Sequence, residues 1–548
     1  MPIVHQRYQP VGPVLVRAST HSGDPDNPPP PDLTDPAATV QHGLAWLAAQ
    51  WSRPELSEAV TMASPDLAAR VRQLLDADAE RPARAAVHRA VVATAFYLTR
   101  WQRRATPFGL FAGVTTATVG PAVAKVGDEH RAVVRVDADW LTRVVDRLEQ
   151  HHSLRRALTV VADSGGFVRD GRFIVGGRPR PGERTPGPVR EISTRHTRAV
   201  QMALAGAAQP VRFDRLAAQL ATQLPHVDRC KIETMLHELI DGQVLITNLR
   251  PAMITVDGLA HVLETLRAAD SGHLSDVAAL TRRLGEIHEQ LARHNAMSDR
   301  RHQGAIRSAV AESMAGVVRV AEPPLAVDVR LDAEISIPPC VLDEAAVAAG
   351  VLLRLTTQPF GSAAWLDYHT RFRTRYGPGA LVGVRDLIAD SGLGYPPGYL
   401  GAPRARPAWR VLTERDAYLL ALIQQAMLDG AAEIRLTDAD IEALTVGDPG
   451  AVVAPARIEL SVAIDAGCAE ALDRGDFELR VTGAPRAYTS MAGRFAHLLD
   501  AADRERLAHT YAPRTGDRDV VAVQLSFPPR RVQSRAAHGP PVWGTCDS

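Results

Sequence analysis

Residues 104–114 read RATPFGLFAGV and mark the point where a helical pattern gives way to strands. Upstream, the apolar spacing in ARAAVHRAVVATAFYLTRW (83–101) predicts a long helix. Proline disfavours a helical conformation at the residue before it, so this helix should end ahead of Thr106. Arg103 and Arg104 then lie at a helix C-terminus, where the helix dipole favours cations and the guanidinium groups stay available to a phosphate or carboxylate.

On the N-terminal side of this stretch the pattern is mainly helical. A first strand is predicted at Pro13–Arg17, followed by an exposed Pro- and Asp-rich loop from Ser19 to Pro36. TVQHGLAWLAAQW (39–51) and PDLAARVRQLLDA (65–77) carry apolar residues at helical spacing. After Gly109 the alternation in RAVVRVDADW predicts a strand that reaches Val136, and an apolar-periodic helix then begins at Trp140.

The middle of the chain has the outline of a winged helix-turn-helix module. GGFVRDGRFIVGG (165–177) predicts a hairpin with Asp170 and Gly171 at its turn. Helices are predicted at about Thr194–Leu204, Arg212–Gln223 and Val227–Asp241, with a strand at Gln243–Thr247. The last of these helices is net acidic and would repel DNA, so we expect an extended peptide as the ligand, bound as an added strand or in a groove.

A second α+β region follows a helical connector. Apolar residues recur at spacings of three and four between positions 275 and 295, which predicts an amphipathic helix. The alternation in LAVDVRLD (325–332) predicts a strand, and a helix over Leu342–Leu355 is expected to cover it. Further elements are predicted as helices at Ala363–Tyr376 and Glu414–Leu428, a strand at Ala456–Ala463 and β-rich sequence to about Phe527. The fold class is therefore α+β, multidomain, with mixed helices and antiparallel sheets around the embedded winged module. The predicted boundaries are 1–160, 161–250, 251–320 and 321–530, with a disordered tail at 531–548.

Bulk properties narrow the function classes. The 548 residues are 46% hydrophobic and 23% charged, which fits a folded protein of several packed units. Neither a long apolar run nor an export signal is evident, so we expect a cytoplasmic protein without a membrane partner. Net charge is zero, and only two of the 62 basic residues are lysine. Arginine suits phosphate and carboxylate recognition, although genome composition alone also produces this bias.

Common catalytic motifs do not occur in the sequence. It contains no GxxxxGK[ST] loop, GxGxxG turn, HExxH helix or GxSxG elbow, so no nucleotide cofactor and no metal are expected. The cysteines form no CxxC pair. The spacing of His288, His294 and His302 places no pair on one helix face, which predicts ordinary surface histidines.

RATPFGLFAGV closely resembles the signature of the N-terminal, glutamylating domain of lantibiotic dehydratases. Other segments resemble that family in the same order along the chain. These are VLVRAS (14–19), VRVDADWL (134–141), FRTRYGPGALVGVRDLIADSGLGYP (372–396), AGRFAHLL (492–499) and VAVQLSFPP (521–529). Together they span residues 14 to 529, nearly the whole chain.

The resemblance implies a reaction and a site. Family members transfer glutamate from glutamyl-tRNA to Ser or Thr side chains of a ribosomally made precursor peptide, as the first step of dehydration. Glutamyl-tRNA is then a co-substrate, no further cofactor is implied, and residues 165–248 resemble the leader-peptide recognition element. The matching motifs imply catalytic roles for Arg17, Arg104, Thr106, Asp137, Arg172 and Arg494, and tRNA or glutamyl binding by Arg100, Arg103 and Arg104.

Family members continue past the last residue of this sequence, so we expect a truncated or split member that lacks an elimination domain. The implied partners are the precursor peptide, tRNA, a second chain that supplies the rest of the domain, an elimination protein and a second copy in a homodimer. Two alternatives to glutamylation stay open. The chain is then either a peptide aminoacyl-tRNA ligase or a leader-binding subunit without catalysis.

Overall fold

The computed structural model consists of mixed helices and sheets and belongs to the α+β class. The description covers residues 8–21, 28–34, 38–76, 82–177, 190–252, 255–297, 299–320, 322–359, 361–389, 391–397, 412–448, 452, 454–455, 457–484 and 491–511. The family-like segment 521–529 and the predicted tail at 531–548 lie outside the described residues.

The N-terminal region is a strand followed by a helical bundle with its own core. Strand β1 (Val14–Ser19) precedes the helices α1 (Ala38–Trp51), α2 (Pro54–Ala63), α3 (Pro65–Leu75) and α4 (Arg84–Arg103). Their apolar faces bury Trp46, Leu47, Val87 and Trp101 together with Phe111 from the turn that follows. The mainly helical character and the end of the long helix before Thr106 are confirmed, whereas α2 was not predicted.

A mixed sheet lies at the centre of the molecule. Its strands are β1, β2 (Ala112–Val119), β3 (Val123–Val126), β4 (Arg131–Val136), β11 (Leu325–Arg330) and β12 (Ala333–Ile337). Strand β1 pairs with one edge of β2, while β11 and then β12 run parallel to its other edge. On their far side β11 and β12 pair antiparallel with β4 and β3. The sheet therefore joins residues more than 200 positions apart in the sequence.

A helical layer covers one face of this sheet. It consists of α5 (Ala138–Glu149), α6 (His152–Ala157), α10 (Gly258–Ala268), α11 (Ser275–Ala296) and α12 (Arg300–Val317). Trp140, Val134 and Leu325 share the core of this layer with the predicted apolar stripe of α11. The surface assignment of His294 is wrong: the side chain is fully buried, and its Nε2 lies 2.7 Å from Nη1 of Arg307. Burial lowers the pKa of His294, and the charge of Arg307 adds to this effect.

Residues 159–247 form a unit with a separate hydrophobic core. Its strands are β5 (Thr159–Ala162), β6 (Phe167–Arg169), β7 (Arg172–Gly177), β8 (Arg190–Arg195), β9 (Val211–Arg212) and β10 (Leu245–Thr247). Its helices α7 (Arg198–Gly206), α8 (Phe213–Gln223) and α9 (Arg229–Asp241) pack on Phe173, Val175 and Leu245. The hairpin turn is confirmed by positive φ at Asp170 and Gly171. The helix predicted from Thr194 is wrong at its start, because Thr194 and Arg195 extend β8 beside β7.

The remaining elements are α13 (Pro339–Arg354), α14 (Ala363–Tyr376), α15 (Val384–Ile388), α16 (Glu414–Leu428), α17 (Asp438–Ala443), β13 (Ser461–Asp465), α18 (Ala469–Asp473), β14 (Glu478–Gly483) and α19 (Ala501–Tyr511), with a 3-10 helix at Gly493–Leu498. The predicted bounds of α14 and α16 are confirmed. Helix α13 packs mainly on α17 and β14 rather than on the strand it was expected to cover. The strand predicted at Ala456–Ala463 begins later, at Ser461.

Candidate functional site

The turn at residues 104–111 is fixed to the end of strand β1. Trp101 Nε1 donates a hydrogen bond to Thr20 Oγ1 over 2.9 Å, and the Ser19 hydroxyl donates to the Trp101 carbonyl. Thr20 Oγ1 also donates to the Leu110 carbonyl over 2.7 Å. Gly109 adopts a φ of +54°, which a side chain would disfavour. The turn is consequently a fixed part of the sheet edge.

Arg100, Arg103 and Arg104 stand at the C-terminus of α4, as predicted. Arg100 places its guanidinium 4.4 Å from the centre of the Phe108 ring and donates to the Thr106 carbonyl over 3.3 Å. Partial burial, together with the charge of Arg104, lowers the pKa of Arg100. The side chains of Arg103, Arg104 and Thr106 are exposed. Positive charge is therefore concentrated on this turn and open to solvent.

Asp137 lies at the same end of the sheet as this turn. Its backbone N–H donates to the Pro324 carbonyl over 2.7 Å, just before β11 begins. Because β11 runs parallel to β2, both strands begin at the same end of the sheet. The Asp137 side chain caps α5 by accepting the Asp139 N–H over 2.8 Å. Burial raises the pKa of this carboxyl, despite the backbone hydrogen bonds that oppose the effect.

The sheet face opposite the helical layer carries Arg17 and a buried carboxylate. Arg17 lies across from Val114 of β2, and its Nη2 donates to Ser461 Oγ over 3.2 Å. Two strands away, Asp328 of β11 is buried and accepts a 2.9 Å hydrogen bond from Arg135 of β4. Side chains two residues apart on a strand share a face, so Arg330, which is exposed, joins this surface.

The 3-10 helix Gly493–Leu498 brings Arg494 to this face. Phe495 and Leu498 pack on Val114 and bury it. Glu459 fixes the start of the helix by accepting the N–H groups of Met491 over 2.6 Å and Ala492 over 3.2 Å. The guanidinium of Arg494 then reaches to 3.7 Å from Asp328 Oδ1. Among the described residues, this face combines several arginines with a single buried carboxylate.

His497 completes the surroundings of Asp328, with its Nε2 3.2 Å from Oδ2. Burial would raise the pKa of Asp328, but His497, Arg135 and Arg494 outweigh this effect and lower it. The carboxylate is therefore held ionised within a cationic surface. Arg135, Asp328 and His497 were not predicted as site residues. The strand alternation that puts Val327 and Val329 on one face already places Asp328 on the other, which is the signal that was available.

Arg172 does not belong to this group. It lies on β7 in the 159–247 unit, where its guanidinium donates to Ser193 Oγ and to the Ser193 carbonyl, each over 2.9 Å. Together with Arg195 and His196 it lines a shallow hollow beside the hairpin turn. No described contact joins Arg172 to the sheet face. The other five residues predicted as catalytic gather at one end and one face of the central sheet.

Within the described residues no group of three or more His, Cys, Asp or Glu side chains is arranged to hold a metal ion. No helix of the described part is long and apolar enough to cross a membrane. The candidate site consists of arginines, a threonine, two aspartates and a histidine. Such a set can bind anions and exchange protons.

Comparison with known proteins bears on this site. The family model described as lantibiotic dehydratase, N terminus, matches residues 52–543. The subtilin biosynthesis protein SpaB of Bacillus subtilis is 26% identical over 312 residues, which are 55% of this chain and 28% of SpaB. The epidermin biosynthesis protein EpiB of Staphylococcus epidermidis is 21% identical over 305 residues, covering 55% of this chain and 30% of EpiB. The chain thus spans about three tenths of the length of these relatives.

Solved structures show the same fold. The tRNA-dependent lantibiotic dehydratase MibB from Microbispora sp. 107891 matches with a TM-score of 0.77 and 29% identity, over 85% of this chain and 45% of MibB. The glutamylation domain TbtB from thiomuracin biosynthesis matches with a TM-score of 0.51 and 17% identity, over 78% of this chain and 53% of TbtB. A second structure of TbtB, bound to 5′-phosphodesmethylglutamycin, has a TM-score of 0.52.

Proposed function

Because this chain belongs to the family of lantibiotic dehydratase N-terminal regions, we propose that it glutamylates a ribosomally made precursor peptide. The acyl donor is glutamyl-tRNA, and the acceptors are Ser or Thr hydroxyl groups. The product then undergoes elimination of glutamate to complete dehydration in lanthipeptide or thiopeptide biosynthesis. MibB, a tRNA-dependent lantibiotic dehydratase, and the TbtB glutamylation domain support this proposal as relatives in fold.

The observation that carries the proposal is the gathering of cations at one end and one face of the central sheet. Arg17 and Arg494 lie on the face, and Arg104 lies on the turn at its edge. An aminoacyl-tRNA brings phosphates and, for glutamate, a side-chain carboxylate, which are the anions that guanidinium groups bind best. Thr106 and Asp137 supply a hydroxyl and a carboxylate within the same region.

The reaction needs no nucleotide cofactor, because the tRNA ester is already activated. The peptide hydroxyl oxygen forms a new ester bond to the glutamyl carbonyl carbon, and the bond from that carbon to the ribose oxygen breaks. The hydroxyl proton ends on the ribose oxygen. We assign to the protein the task of holding donor and acceptor in the geometry for attack, which can itself supply much of the rate.

In this proposal the 159–247 unit, which contains Arg172, binds the precursor peptide. Its hairpin β6–β7 is extended by β8, so an edge strand is offered to an extended peptide. This unit has its own core, separate from the sheet that carries the arginines. We propose two ligand sites on two cores, one for the precursor and one for the acyl donor.

Incubation of the purified chain with labelled glutamyl-tRNA and a candidate precursor tests the proposal. The reaction is followed by peptide mass, with the chain alone and with any protein encoded beside its gene. An adduct of glutamyl mass on Ser or Thr supports glutamylation, and its dependence on a second chain answers the question of a partner. An amide-linked amino acid at the peptide end identifies a ligase, and tight leader binding without any adduct identifies a binding subunit.

A further inference from the structure

Two arginines and a histidine approach the buried carboxylate of Asp328, and they approach its two oxygens unequally. Arg135 Nη2 contacts Oδ2 over 2.9 Å, and His497 Nε2 approaches the same oxygen to 3.2 Å. Arg494 Nη2 lies 3.7 Å from the other oxygen, Oδ1, which is beyond hydrogen-bond distance. The carboxylate is thus hydrogen-bonded by Arg135 and has His497 in close contact with the same oxygen, while Arg494 is attracted without being bound.

Arg494 keeps its donors available as a result. Its side chain is 44% exposed, whereas that of Asp328 is 7% exposed. The guanidinium carbon lies 5.1 Å from the centre of the neighbouring Phe495 ring, a distance at which a cation and a ring attract. Attraction by the Phe495 ring and by Asp328 orients the group, and nearly half of the side chain remains exposed.

His497 is the unusual member of this cluster. Its side chain is only 3% exposed, and neither ring nitrogen makes a well-aligned hydrogen bond with a described residue. Buried polar atoms are almost always paired, so an imidazole in this condition calls for an explanation. Hydrophobic residues would fill the space under the 3-10 helix at lower cost if packing were the only requirement.

We propose that His497 is a positioning residue for Arg494: by occupying Oδ2 of Asp328 together with Arg135, it prevents Arg494 from closing onto the carboxylate. Arg494 then stays open to an anionic group of the acyl donor, a part of the inference that rests on the proposed function. The physical basis is competition for two oxygens. An arginine and a carboxylate pair best through two parallel hydrogen bonds, and that arrangement needs both oxygens.

Removal of the imidazole should let Arg494 complete this pair. In His497→Leu, Oδ2 loses one of its two polar neighbours, and Arg494 can rotate onto Asp328. In His497→Gln, the amide N–H group reaches close to the position of Nε2, so the competition should persist. His497→Asn places its amide near the position of Nδ1 and should behave like the leucine variant, which provides a second test if leucine prevents folding.

Chemical modification of arginine tests the inference without any substrate. The protein is treated with phenylglyoxal, and the rate of modification at Arg494 is followed by mass spectrometry, with the exposed Arg103 as internal reference. We expect His497→Leu to slow modification of Arg494 about threefold relative to Arg103, the scale of one added exposed ion pair, and His497→Gln to leave it near the original rate. An unchanged or faster rate at Arg494 in both the leucine and asparagine variants would overturn the inference.

Ligand binding then tests whether His497 acts through Arg494. The probe is 5′-phosphodesmethylglutamycin, the compound bound in the TbtB structure, titrated by calorimetry. We expect Arg494→Gln and His497→Leu each to weaken binding about tenfold, and the double variant to be no weaker than Arg494→Gln alone. Additive losses would show an independent role for His497 and contradict the inference. If the unsubstituted protein does not bind the probe, the proposed function loses support, while the modification rates still decide the role of His497.

Discussion

Asp137 combines a structural task with a charge that burial disfavours. Its carboxylate caps α5, and its pKa is raised mainly by burial. A raised folded-state pKa means that the ionised group costs stability at neutral pH. This cost disappears as the pH falls through the folded pKa towards the ordinary value of 3.8. A residue that keeps a costly charge at the proposed site is a candidate for a role in binding or proton transfer.

Asp137→Asn separates the two tasks, because asparagine also caps helices. At pH 7 we expect a thermal midpoint no lower than that of the unsubstituted protein, with the difference vanishing in acid. Asp137→Ala should lose about 1 kcal/mol through the missing cap. Thermal unfolding at several pH values, together with the peptide-mass assay, measures both effects. If the asparagine variant unfolds as readily as the alanine variant, the charge carries no stability cost.

Arg104→Ala is expected to abolish glutamyl transfer and leave the fold intact. The side chain is exposed, and the helix-end hydrogen bond to the Arg100 carbonyl, 2.9 Å long, comes from the Arg104 backbone. A surface substitution of this kind typically changes stability by less than about 0.5 kcal/mol. Arg435→Ala, at an exposed position where the arginine pairs with Glu433, is the matched control and should retain transfer. Full transfer by the Arg104 variant would contradict the site assignment.

The sequence predicted the site residues through a family motif rather than through their surroundings. Arg17, Arg494 and the turn arginines could be named because the motif carries them. Asp328 and His497 could not be joined in advance, because their contact depends on a strand and a 3-10 helix about 170 residues apart. A buried polar cluster of this kind becomes visible only when the pairing of the strands is known.

At the scale of elements, local signals decided which predictions were right. Helices α14 and α16 begin after Ser362 and Thr413, whose hydroxyl groups accept N–H groups of their first turns. Such caps can be read from sequence. The start of α7 was misplaced, because Thr194 and Arg195 carry no apolar alternation strong enough to separate a strand end from a helix start. The order of strands in the central sheet has no local signal at all.

Gly113 is required where β11 crosses close to β2. A Cβ at this position would stand 2.4 Å from the Val329 carbonyl oxygen. We expect Gly113→Ala to lower the free energy of unfolding by about 2 kcal/mol or to prevent folding, since strand pairing leaves no room. Gly285→Ala in α11, where nothing lies within 4 Å, is the control and should stabilise by about 0.5–1 kcal/mol. Chemical denaturation measures both, and equal stabilities would refute the steric argument.

His237 joins the 159–247 unit to α6. Its ring stacks on His152, with centroids 4.0 Å apart, and on Phe213 at 4.8 Å. Burial, followed by the charges of His152 and Arg155, lowers the pKa of His237 to about 4. The unfolded chain therefore binds a proton first as the pH falls below 6.5, and stability is lost between that value and about 4.

His237→Phe keeps the stacking and removes this titration. We expect its thermal midpoint to fall less steeply with decreasing pH than that of the unsubstituted protein. Part of the slope should remain, because His294 is also buried with a lowered pKa. His226→Gln, at an exposed position in the same unit, should leave the slope unchanged. Scanning fluorimetry across this pH range checks the prediction, and parallel slopes for the two variants would disprove it.

For the molecule as a whole, the distribution of charge matters more than its sum. Sixty-two basic and 62 acidic residues cancel, so no overall field draws tRNA to the surface. The arginines at the end of α4 and on the sheet face form a local exception. Any affinity for tRNA should then depend on a small number of ionic contacts rather than on total charge.

The salt dependence of the affinity for tRNA measures the number of ionic contacts. We expect the affinity for tRNA to fall with ionic strength, and Arg103→Gln to reduce the slope of log affinity against log salt by about one phosphate contact. Arg435→Gln is the control, because Arg435 is exposed beside Glu433 in a different part of the fold. Fluorescence anisotropy at four or five salt concentrations provides the slopes. Equal slopes for the two variants would place Arg103 outside the tRNA contact.

Strands β1, β2 and β11 and the 3-10 helix meet on one face of the central sheet. The order in which these elements are synthesised therefore decides when that face can form. Strands β1 and β2 leave the ribosome early, β11 follows some 200 residues later, and Arg494 emerges only when most of the chain has been made. Folding proceeds from the N-terminus as the chain emerges, so the bundle and the 159–247 unit can form first. On the proposed roles, a nascent chain can hold its peptide well before it can hold its acyl donor. A chain cut ahead of residue 493 never acquires the second ability.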